Sequence, residues 1–204
     1  MRRVLTIALA ASLAFSLTAC NSPKSASPLP DDMSLGNPAA KVTVVEYASV
    51  GCPVCARWQK DVYPAFMSKY IDTGKVHYVF REMLVGGGAE VAVASAGFML
   101  ARCAGKDKYF AINDAIFASQ PGVFDDPRNT LMNVAKSAGM SEAQFNKCIG
   151  DEKALAALNK RVENNAREGH VDSTPTFVVN GTKLEAGYHP LGDLDAAIAA
   201  AAAK

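Results

Sequence analysis

The chain has 204 residues, half of them hydrophobic and a fifth charged, with 21 basic and 20 acidic side chains and a formal net charge of +1. That balance, with no basic run and no interleaving of basic and aromatic residues, argues against a nucleic-acid partner. Past the N-terminal leader about 170 residues remain, enough for one domain with a well-buried core.

Arg2 and Arg3 form a charged start, followed by an apolar stretch, Val4 to Leu17, too short to span a membrane comfortably. Residues 1–19 read as an export signal. The segment Leu17-Thr18-Ala19-Cys20 resembles the bacterial lipobox, and the resemblance implies that Cys20 is diacylated and becomes the mature N-terminus. A diacyl group would hold the protein stably to a membrane. An ordinary signal peptide cut near Ala19, or an uncleaved anchor, are the alternatives. No further element of a twin-arginine signal follows the two arginines. Residues 20–36, rich in Ser, Pro and Asn, read as a flexible tether.

Val42 to Ala48 is an apolar, strand-like run. Behind it Cys52-Pro53-Val54-Cys55 opens a helical pattern with Val54, Trp58, Val62 and Phe66 on one face. Two cysteines at this spacing form a reversible disulfide. At the first turn of a helix, Cys52 meets unpaired N–H groups and the positive end of the macrodipole, which favour its thiolate. Pro53 suits a position that needs no N–H. Pro64 is expected to kink the helix, Gly74 to end it, and Val76 to Phe80 to form a second strand, completing a βαβ unit.

Gly86-Gly87-Gly88 breaks the pattern, and residues 89–170 read as helices. Asp126 caps one with Pro127 at its first position and Gly139 after it; Ser141 and Gln144 form a capping box for the next. A longer helix from Asp151 to Glu168 is expected to stop at Gly169. Strand character returns at Thr176 to Val179, and Asn180-Gly181 predicts a hairpin with Thr182 to Leu184. The alanine-rich tail from Leu191, with Leu194 and Ile198 at helical spacing, predicts a closing helix.

Of five cysteines, a lipidated Cys20 leaves four, an even number suited to an oxidising compartment. If Cys52 pairs with Cys55, then Cys103 and Cys148 are either two buried thiols or a structural disulfide. Such a bridge, closing about 45 residues, would stabilise by about 4 kcal/mol in the chain-entropy model.

Strand, Cys-Pro-Xaa-Cys helix, strand, helical stretch, Thr174-Pro175, hairpin and helix, in that order, resemble the DsbA-like branch of the thioredoxin superfamily. The resemblance covers Val42 to Ala203. It implies an α/β, thioredoxin-like fold formed by residues 37–88 and 171–204, with an inserted helical subdomain at 89–170. It implies that Cys52 and Cys55 are the redox centre and that Pro175 is cis and faces them. Pro53, Val54 and Thr174 would then meet the substrate. Glu46, six residues before Cys52, matches a buried acid of the family, whose raised pKa lets it exchange a proton with Cys55. The other reading of Glu46 is a solvated strand residue. Arg81 and Glu82 also look like a family feature, without an assignable chemistry.

The function implied is thiol:disulfide exchange on cysteine-containing exported proteins, in the periplasm or cell envelope, with a membrane redox partner to recycle the cysteines. Val54 stands where the most oxidising members have histidine, so the protein should be a weaker oxidant than those and a stronger one than thioredoxin. Thr174 is shared with disulfide isomerases, which keeps an isomerase or reductase as the alternative. A short tether cannot supply the dimerisation domain such isomerases use, so a monomer is expected. A metal-binding lipoprotein is the remaining alternative. It fits poorly, because one Cys-x-x-Cys is present while His77, His170 and His189 lie scattered. No cofactor is expected, and Ala56 excludes c-type haem at the motif.

Overall fold

A computed structural model describes residue 29 and residues 31–204. The expected lipid site at Cys20, and the tether as far as residue 28, lie outside the described residues. The tether was expected to reach Gly36, but Met33–Gly36 is a strand, β1, antiparallel to the later strand β3. It is a short edge strand of mixed burial, so no alternating pattern announces it.

The sheet has five strands in the order β1, β3, β2, β4, β5. β2 (Val42–Ala48) and β3 (Val76–Glu82) are parallel, β4 (Thr176–Val179) runs antiparallel to β2, and β5 (Thr182–Lys183) closes a hairpin on β4. At the turn Asn180 and Gly181 both have positive φ, 42° and 83°, the geometry a two-residue hairpin requires.

α1 (Pro53–Asp61) connects β2 to β3 together with a short α2 (Tyr63–Phe66) and a wider turn at Met67–Ile71. The break falls at Val62, where Pro64 cannot donate to the preceding turn. Between β3 and β4 lie α3 (Gly88–Cys103), α4 (Lys106–Ala118), α5 (Pro127–Ser137), α6 (Glu142–Ile149) and α7 (Glu152–Gly169). The caps follow the sequence: Asp126 accepts from the Asn129 amide, and Ser141 with Gln144 forms a reciprocal box. Cys103 and Cys148 are joined by a disulfide, tying the end of α3 to α6. α8 (Leu191–Ala202) buries Leu194 and Ile198.

The expected stop at Gly169 has a different cause. His170, not the glycine, takes the left-handed conformation that ends α7. Gly169 is required because a Cβ there would lie 2.6 Å from the Tyr47 ring. Most of the core lies on one sheet face, centred on Trp58, whose ring sits 4.8 Å from Phe177 and 5.9 Å from both Tyr63 and Phe66. The opposite face carries a smaller cluster of Val45, Tyr47, Val79, Met83, Val171 and Val178. Among the described residues no helix is long and apolar enough to cross a membrane.

Candidate active site

β2 ends at Ala48, and the turn through Ser49, Val50 and Gly51 delivers Cys52 to the start of α1. Gly51 is forced by contact: a Cβ there would lie 2.2 Å from the Glu90 carbonyl oxygen of α3. Gln120 holds the same turn from beyond α4, its side-chain amide donating to the Val50 carbonyl at 2.6 Å. Cys52 is the N-cap of α1, with Pro53 at the first helical position and the Cys55 amide 3.4 Å from its sulfur. The buried stripe of α1 runs through Cys55, Trp58 and Val62. Val54, expected on that face, lies one position off it and is 42% exposed.

The two sulfurs occupy unlike surroundings. Cys52 is 8% exposed and Cys55 wholly buried, both as thiols. The Cys55 thiol, donating to the Cys52 sulfur, contributes most to lowering the Cys52 pKa to about 6. Burial opposes it, and Thr174 and the amides of Cys55 and Val54 add to the lowering. Burial pushes Cys55 well up, and the neighbouring Cys52 sulfur adds to it. One sulfur is therefore built to be an anion, the other to hold a proton.

Thr174 and Pro175 close over this pair from the strand side. Their peptide bond is cis, and the Thr174 carbonyl lies 3.5 Å from the Cys52 sulfur, accepting from its thiol. The Thr174 hydroxyl is buried without a partner, so once Cys52 ionises it can turn and donate to the thiolate. Pro175 is buried, and its carbonyl accepts from the Gly187 amide at 2.8 Å.

Glu46 is wholly buried, which removes the solvated-strand reading. One carboxyl oxygen accepts from the Tyr78 hydroxyl; the other has no partner. Burial drives its pKa up to about 8, the Tyr78 hydrogen bond pulls down, and the charges of Asp114 and Cys52 push up further. At neutral pH it is largely a carboxylic acid, facing the core beneath the motif helix.

Sequence reasoning missed Asp114, Tyr63 and Gln120. Asp114 and Tyr63 line a cavity of about 760 Å³ between α1 and α4, and its rim includes Pro53. Asp114 and Gln120 reach the site from elements distant in sequence and carry no local signal, while Tyr63 follows directly after α1 and reads as one more core aromatic. Arg81 and Glu82, left without a chemistry, prove to be fasteners. Arg81 donates to Tyr47 at 2.8 Å and pairs with Asp32 at 3.0 Å, while Glu82 meets Arg102, Arg161 and Tyr109.

Comparison with known proteins agrees with this geometry. The family model described as Thioredoxin matches residues 29–199. A Rickettsia bellii (strain RML369-C) protein with the provisional name protein-disulfide oxidoreductase is 32% identical over 171 residues, 82% of this chain and 63% of that one. This chain spans less than two thirds of the length of that relative. Disulfide bond formation protein D of Bacillus subtilis is 26% identical over 149 residues, 72% of this chain and 66% of that one. Among solved structures, Wolbachia pipientis alpha-DsbA1 superposes with a TM-score of 0.74 at 28% identity, covering 86% of this chain and 95% of that one.

Proposed function

The chain belongs to the thioredoxin family, and from that membership we propose that it is a DsbA-type thiol:disulfide oxidoreductase whose redox centre is Cys52-Pro53-Val54-Cys55. One observation carries the reading: the Cys52 sulfur, at the first turn of α1 and pressed against the cis Thr174-Pro175 bond, has its pKa lowered to about 6 beside a protonated, buried Cys55.

In the oxidised enzyme a substrate thiolate attacks Cys52, the sulfur nearer the surface. The disulfide breaks, Cys55 leaves as a thiolate and takes a proton from Glu46, and a mixed disulfide remains. A second substrate thiolate attacks its own sulfur in that bond and expels Cys52, a good leaving group because its thiolate is stabilised. Pro53, Val54 and Thr174 would border the incoming chain; the exposure of Val54 supports that placement. Pro175, with no N–H to bond, leaves the adjoining edge open to an extended segment.

The substrates in this reading are cysteine-containing exported proteins of the envelope. Cys20 carries the lipid that tethers a monomer there, and a membrane redox partner bearing a disulfide restores the Cys52-Cys55 bond. The Cys103-Cys148 bridge is structural, tying α3 to α6 within the helical insertion.

Equilibration in glutathione buffers should give a reversible two-electron transition that disappears in Cys52→Ser. A protein that binds stoichiometric zinc and shows no such transition would overturn the reading. Direction is tested by comparing oxidation of a reduced substrate with unscrambling of a mispaired one. Oxidation should dominate, and unscrambling alone would assign an isomerase.

A further inference from the structure

We propose that the cavity between α1 and α4 is the proton port of the redox centre, and that Asp114 passes protons between outside water and buried Glu46. The inference rests on the role given to Glu46 above.

Turnover obliges a proton to travel. When the Cys52-Cys55 bond is broken by a substrate thiolate, Cys55 departs with the electron pair and Glu46 supplies its proton. On recycling, Cys52 attacks a disulfide of the oxidant, and the Cys55 sulfur then attacks Cys52 and expels the oxidant's thiolate. For that attack Cys55 must return its proton to Glu46. The carboxylate left by the first transfer, its pKa raised by burial to about 8, refills from outside while the protein is reduced and must empty again before it can take the Cys55 proton, yet Glu46 is wholly buried.

The side chains around it outline a path. Tyr78 donates to Glu46 and lies with its ring 5.9 Å from that of Tyr63. Tyr63 is buried and, together with Asp114, lines the cavity of about 760 Å³. Three buried oxygens have no hydrogen-bond partner, Glu46 Oε1, the Tyr63 hydroxyl and Gln59 Oε1, and both Tyr63 and Gln59 line the cavity. Buried polar atoms without partners, beside a cavity far larger than one water, are the setting in which ordered water completes a chain. The rim is open, with Pro53, Arg57, Lys60 and Asp61 exposed.

The ionisable groups around Asp114 come from several elements. Its charge reaches Glu46 on β2, Tyr78 on β3 and Tyr63 on α2. On the outer side Arg57 is engaged by Asp61 at 3.5 Å and stacks over Tyr188, while Lys60 stands at the rim. Burial alone lifts Asp114 to about 6, between Glu46 and solvent water in proton affinity. Asp114 touches neither sulfur, so it is a positioning residue that acts through Glu46.

The test is stopped-flow reduction by dithiothreitol and reoxidation by glutathione disulfide from pH 5 to 9, in low and high imidazole, on the full chain. Asp114→Asn should slow the steps that move the Cys55 proton by about tenfold or more in low imidazole, and high imidazole should restore them. Asp114→Glu should keep the wild-type rate, and the Cys52 thiolate titration should not move. Glu46→Gln should be slow at every imidazole concentration. A wild-type rate for Asp114→Asn beside a slow Glu46→Gln, or a defect that imidazole leaves untouched, overturns the port alone. A wild-type rate for Glu46→Gln overturns the role of Glu46 and the port with it.

Discussion

Glu46 and Glu82 stand on neighbouring strands, and the register pairing Glu46 with Phe80 and Ala48 with Glu82 puts both on the same face of the sheet. Both are buried. Glu82 has a guanidinium for each oxygen, Arg102 at 2.5 Å and Arg161 at 2.9 Å, with the Tyr109 hydroxyl at 3.1 Å. Glu46 has one tyrosine hydroxyl and an oxygen with nothing opposite it. Burial with matched cations makes a fastener, here between the sheet and helices α3 and α7. Burial without a cation makes a store for a proton, because the acid is cheaper to bury than its anion. Two glutamates one strand apart thus serve opposite ends, and the side chains around them decide which.

The largest effect should come from breaking the fastener. Glu82→Ala leaves Arg102 and Arg161, each only about one-fifth exposed, without their anion. The loss should be roughly 3–5 kcal/mol, as for other buried ion pairs deprived of one partner. Denaturant unfolding of the Cys103-Cys148 bridged protein measures it, and a loss below 1 kcal/mol would make the cluster a surface-like pair.

Glu46→Gln should act in the opposite sense. Its folded pKa, about 8, lies above the unfolded value. Its contribution to stability is therefore complete below about pH 4.5 and is lost as pH rises through 8. Gln keeps a partner for Tyr78 and has no proton to lose. The variant should match wild type at pH 4.5 and exceed it at pH 8.5 by an amount on the order of 3 kcal/mol. The reduced Cys52 thiolate runs the other way, its lowered pKa adding stability as pH rises above 6, but that cancels when variant and wild type are compared in the same redox state. A constant difference across pH would place Glu46 among ordinary polar residues.

The sequence made one glutamate legible and not the other. Glu46 could be placed because it keeps a fixed distance from Cys52 along one strand and loop. The partners that define Glu82 come from residues 102, 109 and 161, on three helices whose approach no local pattern records. The same holds for Asp114 and Gln120. Periodicity and caps located β2, α1, β3, the hairpin and α8, because each is set by neighbours within a few residues. β1 was missed as a four-residue edge strand, and Gly169 was read for the wrong reason because its constraint is the distant Tyr47 ring. Local chemistry was legible; contacts across the fold were not.

The smallest effect should appear at Cys52, where the same contrast is drawn with sulfur. Its thiolate is stabilised by hydrogen bonds rather than by a cation, beginning with the Cys55 thiol and including Thr174. Each donor is then one contribution among several, and removing one should cost little. Thr174→Val deletes the hydroxyl that has no partner while Cys52 is a thiol and keeps the shape beside Pro175. The thiolate absorbance near 240 nm should then titrate at a higher pH, by up to about one unit, or about 1.4 kcal/mol. Because the reduced form loses that stabilisation, the reduction potential should fall by up to about 30 mV, making a weaker oxidant. An unchanged titration would mean that the hydroxyl never turns toward the sulfur, leaving the Cys55 thiol and the two amides of α1 to hold the charge.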